Sequence, residues 1–171
     1  MSKFFVILLS LIFSVILTIS TFPLGSFSPD WTQLFLLYWI LAVPLSIGLL
    51  SSWIVGLVLD VVLGSTLGIN ALMYTIISYL VFKIHHIARY ITVFQQSIVI
   101  IVILIIKFTL VLWIDSILNI NNYNISLYWS CVTSALCWPI VFYSLRVLRM
   151  KYNISEWKYF VTNQTLLNAQ Y

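Results

Sequence analysis

Asp60-Val-Val-Leu-Gly64-Ser-Thr-Leu-Gly68 sets the reading of the chain, because Asp60 is the only charge in the 52 residues from Trp31 to Phe82. A carboxylate at the centre of a membrane helix costs about 2.5–3.5 kcal/mol on insertion scales. Here it stands beside closely spaced small residues. Counting backward by fours gives Gly68, Gly64, Asp60, Gly56, Ser52 and Gly48. Small residues at that spacing let two helix backbones approach and shield a polar group from lipid. A four-residue repeat drifts by about 40° per step on a helix of 3.6 residues per turn, so only part of the series shares a face. Its expected core is Gly56, Asp60 and Gly64, packed against a neighbouring helix.

Composition extends this reading to the whole chain. Of 171 residues 63% are hydrophobic and 7% charged, with a mean hydropathy of +1.10. A soluble domain carries about 25% charged residues. The sequence therefore predicts an all-α polytopic membrane protein, since helices satisfy their own backbone groups in lipid. The formal charge of +4 comes from eight Lys/Arg against four Asp/Glu. Those cations lie mostly between apolar segments, which favours a role in membrane topology over nucleic-acid binding. Cys131 and Cys137 read as small hydrophobes. Lys3 and the apolar run after it read as a retained first span.

Taken in order, Phe4 to Phe22 is a first span and Pro23 to Asp30 a turn-rich loop. Trp31 to Leu59 is uncharged, too long for one upright helix. A turn at Pro44 to Gly48 would divide it into two short spans. Gly64 to Asn70 is the next break, and Ala71 to Phe82 continues as another span. Lys83, His85, His86 and Arg89 form a basic connector, and Ile91 to Ile117 is a span containing Lys107. Asn119 to Ser126 is a polar loop. Leu127 to Leu145 is the last span, bent or loosened near Pro139, and Arg146, Arg149, Lys151 and Lys158 make a basic end. Residues 1–150 thus form one transmembrane domain and 151–171 a cytoplasmic tail.

Parity tests this count. Six spans with the N-terminus inside put Lys3, Lys83, Arg89 and the basic end in the cytoplasm, as the positive-inside rule requires. Five spans with the N-terminus inside would put both basic clusters outside. Five with the N-terminus outside violate the rule only at Lys3, and stand as the alternative.

Depth suggests a partner for the embedded acid. Asp60 would lie roughly 16 Å along a helix begun at Leu49, and Lys107 roughly 21 Å along one begun at Val93. Embedded ionisable residues usually face the bundle interior and pair, so Asp60 and Lys107 are expected to meet. Such a pair reads either as a proton or substrate site or as a packing device. The packing device is preferred, since no second carboxylate or histidine lies at similar depth. The sequence has no nucleophile elbow, phosphate-cradling loop or spaced Cys/His set, so neither catalysis nor a cofactor or metal is expected. Trp31, Trp113, Tyr128 and Trp129 read as interface anchors on the outer side.

Several blocks together resemble one family. They are Pro29-Asp-Trp31, Leu37-Tyr-Trp-Ile-Leu-Ala-Val-Pro44, Gly56-Leu-Val-Leu-Asp60, Gly64-Ser-Thr-Leu-Gly68 and Trp138-Pro139. From about residue 28 to 150 the chain resembles MreD, the rod-shape-determining inner-membrane protein of bacteria, in its gammaproteobacterial form. The resemblance implies a non-enzymatic subunit of the cell-elongation machinery that scaffolds peptidoglycan synthesis in the inner membrane. It implies as partners a bitopic MreC-like protein, an MreB-like actin homologue and, through them, the elongation glycosyltransferase and transpeptidase. It further implies a fold similar to the substrate-binding subunits of energy-coupling-factor transporters. Gly56, Asp60, Gly64, Gly68, Lys107 and Pro44 are the expected packing and partner motif. A small-molecule capture subunit is the alternative, and an enzyme acting on lipid-linked precursors a third possibility.

Overall fold

The computed structural model describes residues 3–21, 25–43, 49–88, 90–118, 126–152 and 154. Every regular element among them is helical. In chain order they are α1 (Lys3–Ile19), a 3-10 turn (Gly25–Phe27), α2 (Trp31–Ala42), α3 (Leu49–Leu63), α4 (Ile69–Ala88), α5 (Val93–Ile117) and α6 (Ser126–Lys151). The uncharged stretch from Trp31 to Leu59 therefore holds two helices. The turn between them, with Pro44 and Gly48, lies outside the described residues, as do residues 119–125 and nearly all of the tail.

Two boundaries differ from the sequence reading. Helix α4 runs to Ala88, so Lys83 and His85 are helical and do not form a connector. No glycine or proline interrupts residues 69–88, so nothing local ends the helix earlier. Helix α6 likewise continues through Pro139 and past Leu145 to Lys151, so Arg146, Arg149 and Lys151 belong to the helix. Arg149 and Lys151 sit in its last turn, where cations oppose the negative end of the macrodipole. Helix α5 starts at a capping box: the Thr92 hydroxyl accepts from the Gln95 N–H while the Gln95 side chain accepts from the Thr92 N–H.

Helix α2 is the axis of the bundle. From Thr32 to Ala42 every side chain but Leu41 is buried, the signature of a helix surrounded on all sides. Helices α1, α4 and α6 pack around it, α3 lies along α4, and α5 lies along α6. Its aromatic residues interlock with the neighbours. Trp39 donates from Nε1 to the Ser10 Oγ at 2.8 Å, and the Tyr38 ring meets Phe142 edge-on at 5.6 Å. On the far side of α6, Trp138 donates to the Gln96 side chain at 3.3 Å.

The outer surface is apolar. Helix α5 and, within α6, residues Tyr128–Lys151 are long and apolar enough to cross a membrane, while α1, α2, α3 and the Ile69–His85 stretch of α4 are shorter apolar helices. Only 28% and 33% of the two long spans is buried inside the bundle. Core helices of a soluble protein would be covered; here Phe94, Ile98, Trp113, Leu136 and Ile140 face outward. Lipid is the solvent that suits such a surface. The chain is a helical membrane protein.

Candidate functional site

Two carboxylates organise polar clusters in the interior. The first is Asp60, fully buried near the end of α3. One oxygen accepts from the Ser65 hydroxyl at 2.8 Å, the Asn70 N–H at 3.2 Å and the Asn70 Nδ2 at 2.9 Å. The other accepts from the N–H groups of Gly68 at 2.9 Å and Ala71 at 3.2 Å. These amides open α4, whose first turn would otherwise leave them unpaired. Gly68, at the N-cap position, has no side chain to accept from them. Asp60 reaches across the turn and caps α4 from the preceding helix, placing a negative charge at a positive helix end.

The glycines around it have separate tasks. A Cβ on Gly56 would lie 2.5 Å from the Ala71 Cα and 2.7 Å from its nitrogen. At Gly56, α3 and α4 are therefore in backbone contact. Gly64 and Gly68 are different: both have positive φ, +62° and +97°, and a Cβ added to either would meet nothing within 4 Å. Gly64 ends α3 in a Schellman turn, with the Ser65 N–H donating to the Asp60 carbonyl at 3.1 Å. The expected stripe of Gly56, Asp60 and Gly64 on one packed helix face is thus corrected, because α3 stops at Leu63. A periodic pattern continued through a turn cannot report where the helix ends.

The second node is Asp30, the N-cap of α2. It accepts from the Gln33 N–H at 3.1 Å and the Tyr74 hydroxyl at 2.9 Å, and it forms an ion pair with Lys107. Lys107 is 3% exposed and Asp30 11%. The ammonium also lies over the Tyr74 ring, 4.5 Å from its centre. The pairing of Lys107 with Asp60 is therefore corrected: Lys107 belongs to Asp30, and Asp60 is satisfied within its own hairpin. Similar depth along two helices does not fix which way either side chain turns.

The segment before α2 is tied to α6 by hydroxyls. Ser134 accepts from the Asp30 N–H at 3.0 Å, Ser130 donates to the Ser28 carbonyl at 2.7 Å, and Thr133 donates to the Phe27 carbonyl at 2.8 Å. Thr18 and Thr32 join α1 to α2 at 2.8 Å. Together these contacts bring the N-terminal turns of α2, α4 and α6 to one end of the bundle, beside the later half of α5. The sequence marks Asp30 only as part of a motif block and gives no sign of Tyr74. The available signal for Asp30 was an Asp immediately before an uncharged helix, the preferred N-cap chemistry.

This geometry places Asp30, Gly56, Asp60 and Gly68 of the motif blocks at contacts between helices. A family model described as rod shape-determining protein MreD matches residues 1–148. The chain belongs to the MreD family. Rod shape-determining protein MreD of Haemophilus influenzae is 30% identical over 151 residues, covering 87% of this chain and 93% of that protein. No solved structure matches the chain. In this MreD-family protein, Asp30 and the polar residues of the Asp60 hairpin serve to hold helices to one another.

A test separates turn glycine from packing glycine. Gly64→Ala and Gly64→Leu are expected to cost about the same, roughly 1–2 kcal/mol, because the penalty is left-handed backbone and not space. Gly64→Asn, which tolerates that conformation, should recover part of it. Thermal unfolding in detergent measures all three. A much larger loss for leucine than for alanine would restore the packing role.

Proposed function

We propose that this chain is a multi-pass subunit of the cell-elongation machinery in the bacterial inner membrane, acting by binding protein partners and turning over no substrate of its own. Membership of the MreD family carries the reading. The use of the embedded charges supports it: Asp30, Asp60 and Lys107 each hold one helix to another. The proposed topology has six spans with both termini cytoplasmic, so the end bearing Asp30 and Asp60 faces outward. The proposed partners are an MreC-like bitopic protein, an MreB-like actin homologue and, through them, the elongation glycosyltransferase and transpeptidase.

The docking face proposed for a partner helix differs from the sequence expectation. The small-residue face at Gly56 is already filled by the backbone of α4, so it is not open to a partner. The outward apolar faces of the other helices, α1, α5 and α6 among them, remain available. The rival reading, small-molecule capture on a transporter-like fold, calls for convergent polar groups in a hollow. A groove of about 420 Å³ between α1 and α3 is instead lined by apolar side chains such as Phe4, Leu8, Ile12, Ile54 and Val58.

Two experiments test the proposal. Cysteines placed at residues 25 and 66 should label from the periplasm, and one at residue 90 only after the membrane is opened; periplasmic labelling at 90 would sink the six-span topology. The purified protein in liposomes should bind an MreC-like partner and show no saturable micromolar binding of vitamins or lipid-linked precursors. Such binding, or turnover by the protein alone, would overturn the scaffold in favour of capture or catalysis.

A further inference from the structure

Charge is segregated along the bundle. Asp30 and Asp60 lie at the end where α2, α4 and α6 begin, and Asp115 lies near the end of α5 that meets it. Lys83 near the end of α4, and Arg146, Arg149 and Lys151 at the end of α6, lie at the opposite end. Lys107 is the exception, and Asp30 neutralises it. Among the described residues, none of Lys83, Arg146, Arg149 and Lys151 makes an ion pair. Opposing one helix dipole takes about half a charge, so three cations on the end of α6 exceed that need.

The position of these cations selects their partner. Tyr143, Val147 and Met150 form an exposed apolar stripe on α6, and Arg146 is exposed directly beside it. The charge is thus borne at the end of a helix with an apolar outer face, and not on a loop. The helix end is also fixed in place. The Ile154 N–H donates to the Arg149 carbonyl at 3.0 Å, and the Ile154 side chain is buried in the core. That bond turns the chain back against the bundle, so the last turns of α6 are held at the inner edge.

We propose that Arg146, Arg149 and Lys151 form a docking surface for the headgroups of anionic phospholipids. The proposal rests on the topology given above, in which this end faces the cytoplasmic leaflet. Guanidinium groups suit phosphate because they donate two parallel hydrogen bonds, and lysine adds a mobile point charge. Each cation near an anionic leaflet strengthens association by about fivefold, so three together give on the order of a hundredfold.

The test uses the full chain in nanodiscs of phosphatidylcholine containing a minor fraction of phosphatidylglycerol, with enrichment of the anionic lipid around the protein as the readout. Both faces meet lipid in a nanodisc, so binding is scored even if the topology is reversed, and cysteine labelling tests orientation separately. The wild-type chain should enrich phosphatidylglycerol, and 0.5 M salt should erode the effect. The triple variant Arg146→Gln/Arg149→Gln/Lys151→Gln should lose ten- to a hundredfold of the preference, while Arg146→Lys should keep most of it. Lys151→Gln alone, at an exposed position, should lose about fivefold and serves if the triple variant does not fold. Equal enrichment in wild type and Lys151→Gln would overturn the proposal. Displacement of the lipid by millimolar inorganic phosphate would also overturn it, by showing a site for the free anion.

Discussion

Lys107→Met is expected to destabilise the folded bundle by about 3–5 kcal/mol, the cost of leaving the partner of a buried ion pair uncompensated. Asp30 would keep its bonds from Gln33 and Tyr74 but lose its counter-charge in a site that is 11% exposed. Asp30→Asn retains an N-cap side chain while removing the charge, and should cost a similar amount because Lys107 is then the orphan. The double variant should recover most of the loss, since a buried pair replaced as a unit is often near neutral. Unfolding in mixed detergent micelles would measure the four corners of this cycle. A coupling energy above about 1 kcal/mol between positions 30 and 107, with none between 60 and 107, is the expected result. Coupling of Lys107 to Asp60 would instead revive the pairing inferred from depth.

The second large effect is at Gly56, where the sign itself is informative. By helix propensity alone, Gly56→Ala should stabilise α3 by about 1 kcal/mol. The backbone of α4 stands 2.5 Å from where the new methyl would lie, so the helices must separate. Backbone cannot rotate aside as a side chain can, and the expected outcome is a net loss of about 1–3 kcal/mol. Separation would also draw Asp60 away from the Gly68 and Ala71 amides that it caps. Gly56→Leu should then abolish recovery of folded protein from membranes. Unchanged or increased thermal stability of Gly56→Ala would show that α3 and α4 do not meet at this point.

Both effects arise at places where the sequence alone was legible only in part. The apolar runs, their lengths and the sparse charges determined a helical membrane protein, because long continuous apolar runs suit helices, whereas barrel strands alternate apolar and polar residues. Pro44 with the nearby small residues marked the division of Trp31 to Leu59 into two helices. A buried carboxylate at Asp60 beside glycines was equally visible, since a charge in an apolar run requires local donors. Tertiary structure decided the partners. Asp60 and Lys107 share a depth, but α3 packs on α4 while α5 packs on α6 and α4, and that packing turns Lys107 towards the N-cap of α2. Gly56 and Gly64 look alike at four-residue spacing. Only the ending of α3 at Leu63 makes one a backbone contact and the other a left-handed turn. Beyond its local N-cap bond to Gln33, the role of Asp30 was hidden because its other donors come from α4 and α5, 44 and 77 residues away. Periodicity describes which residues share a face of one helix; it says nothing of the helix that faces it.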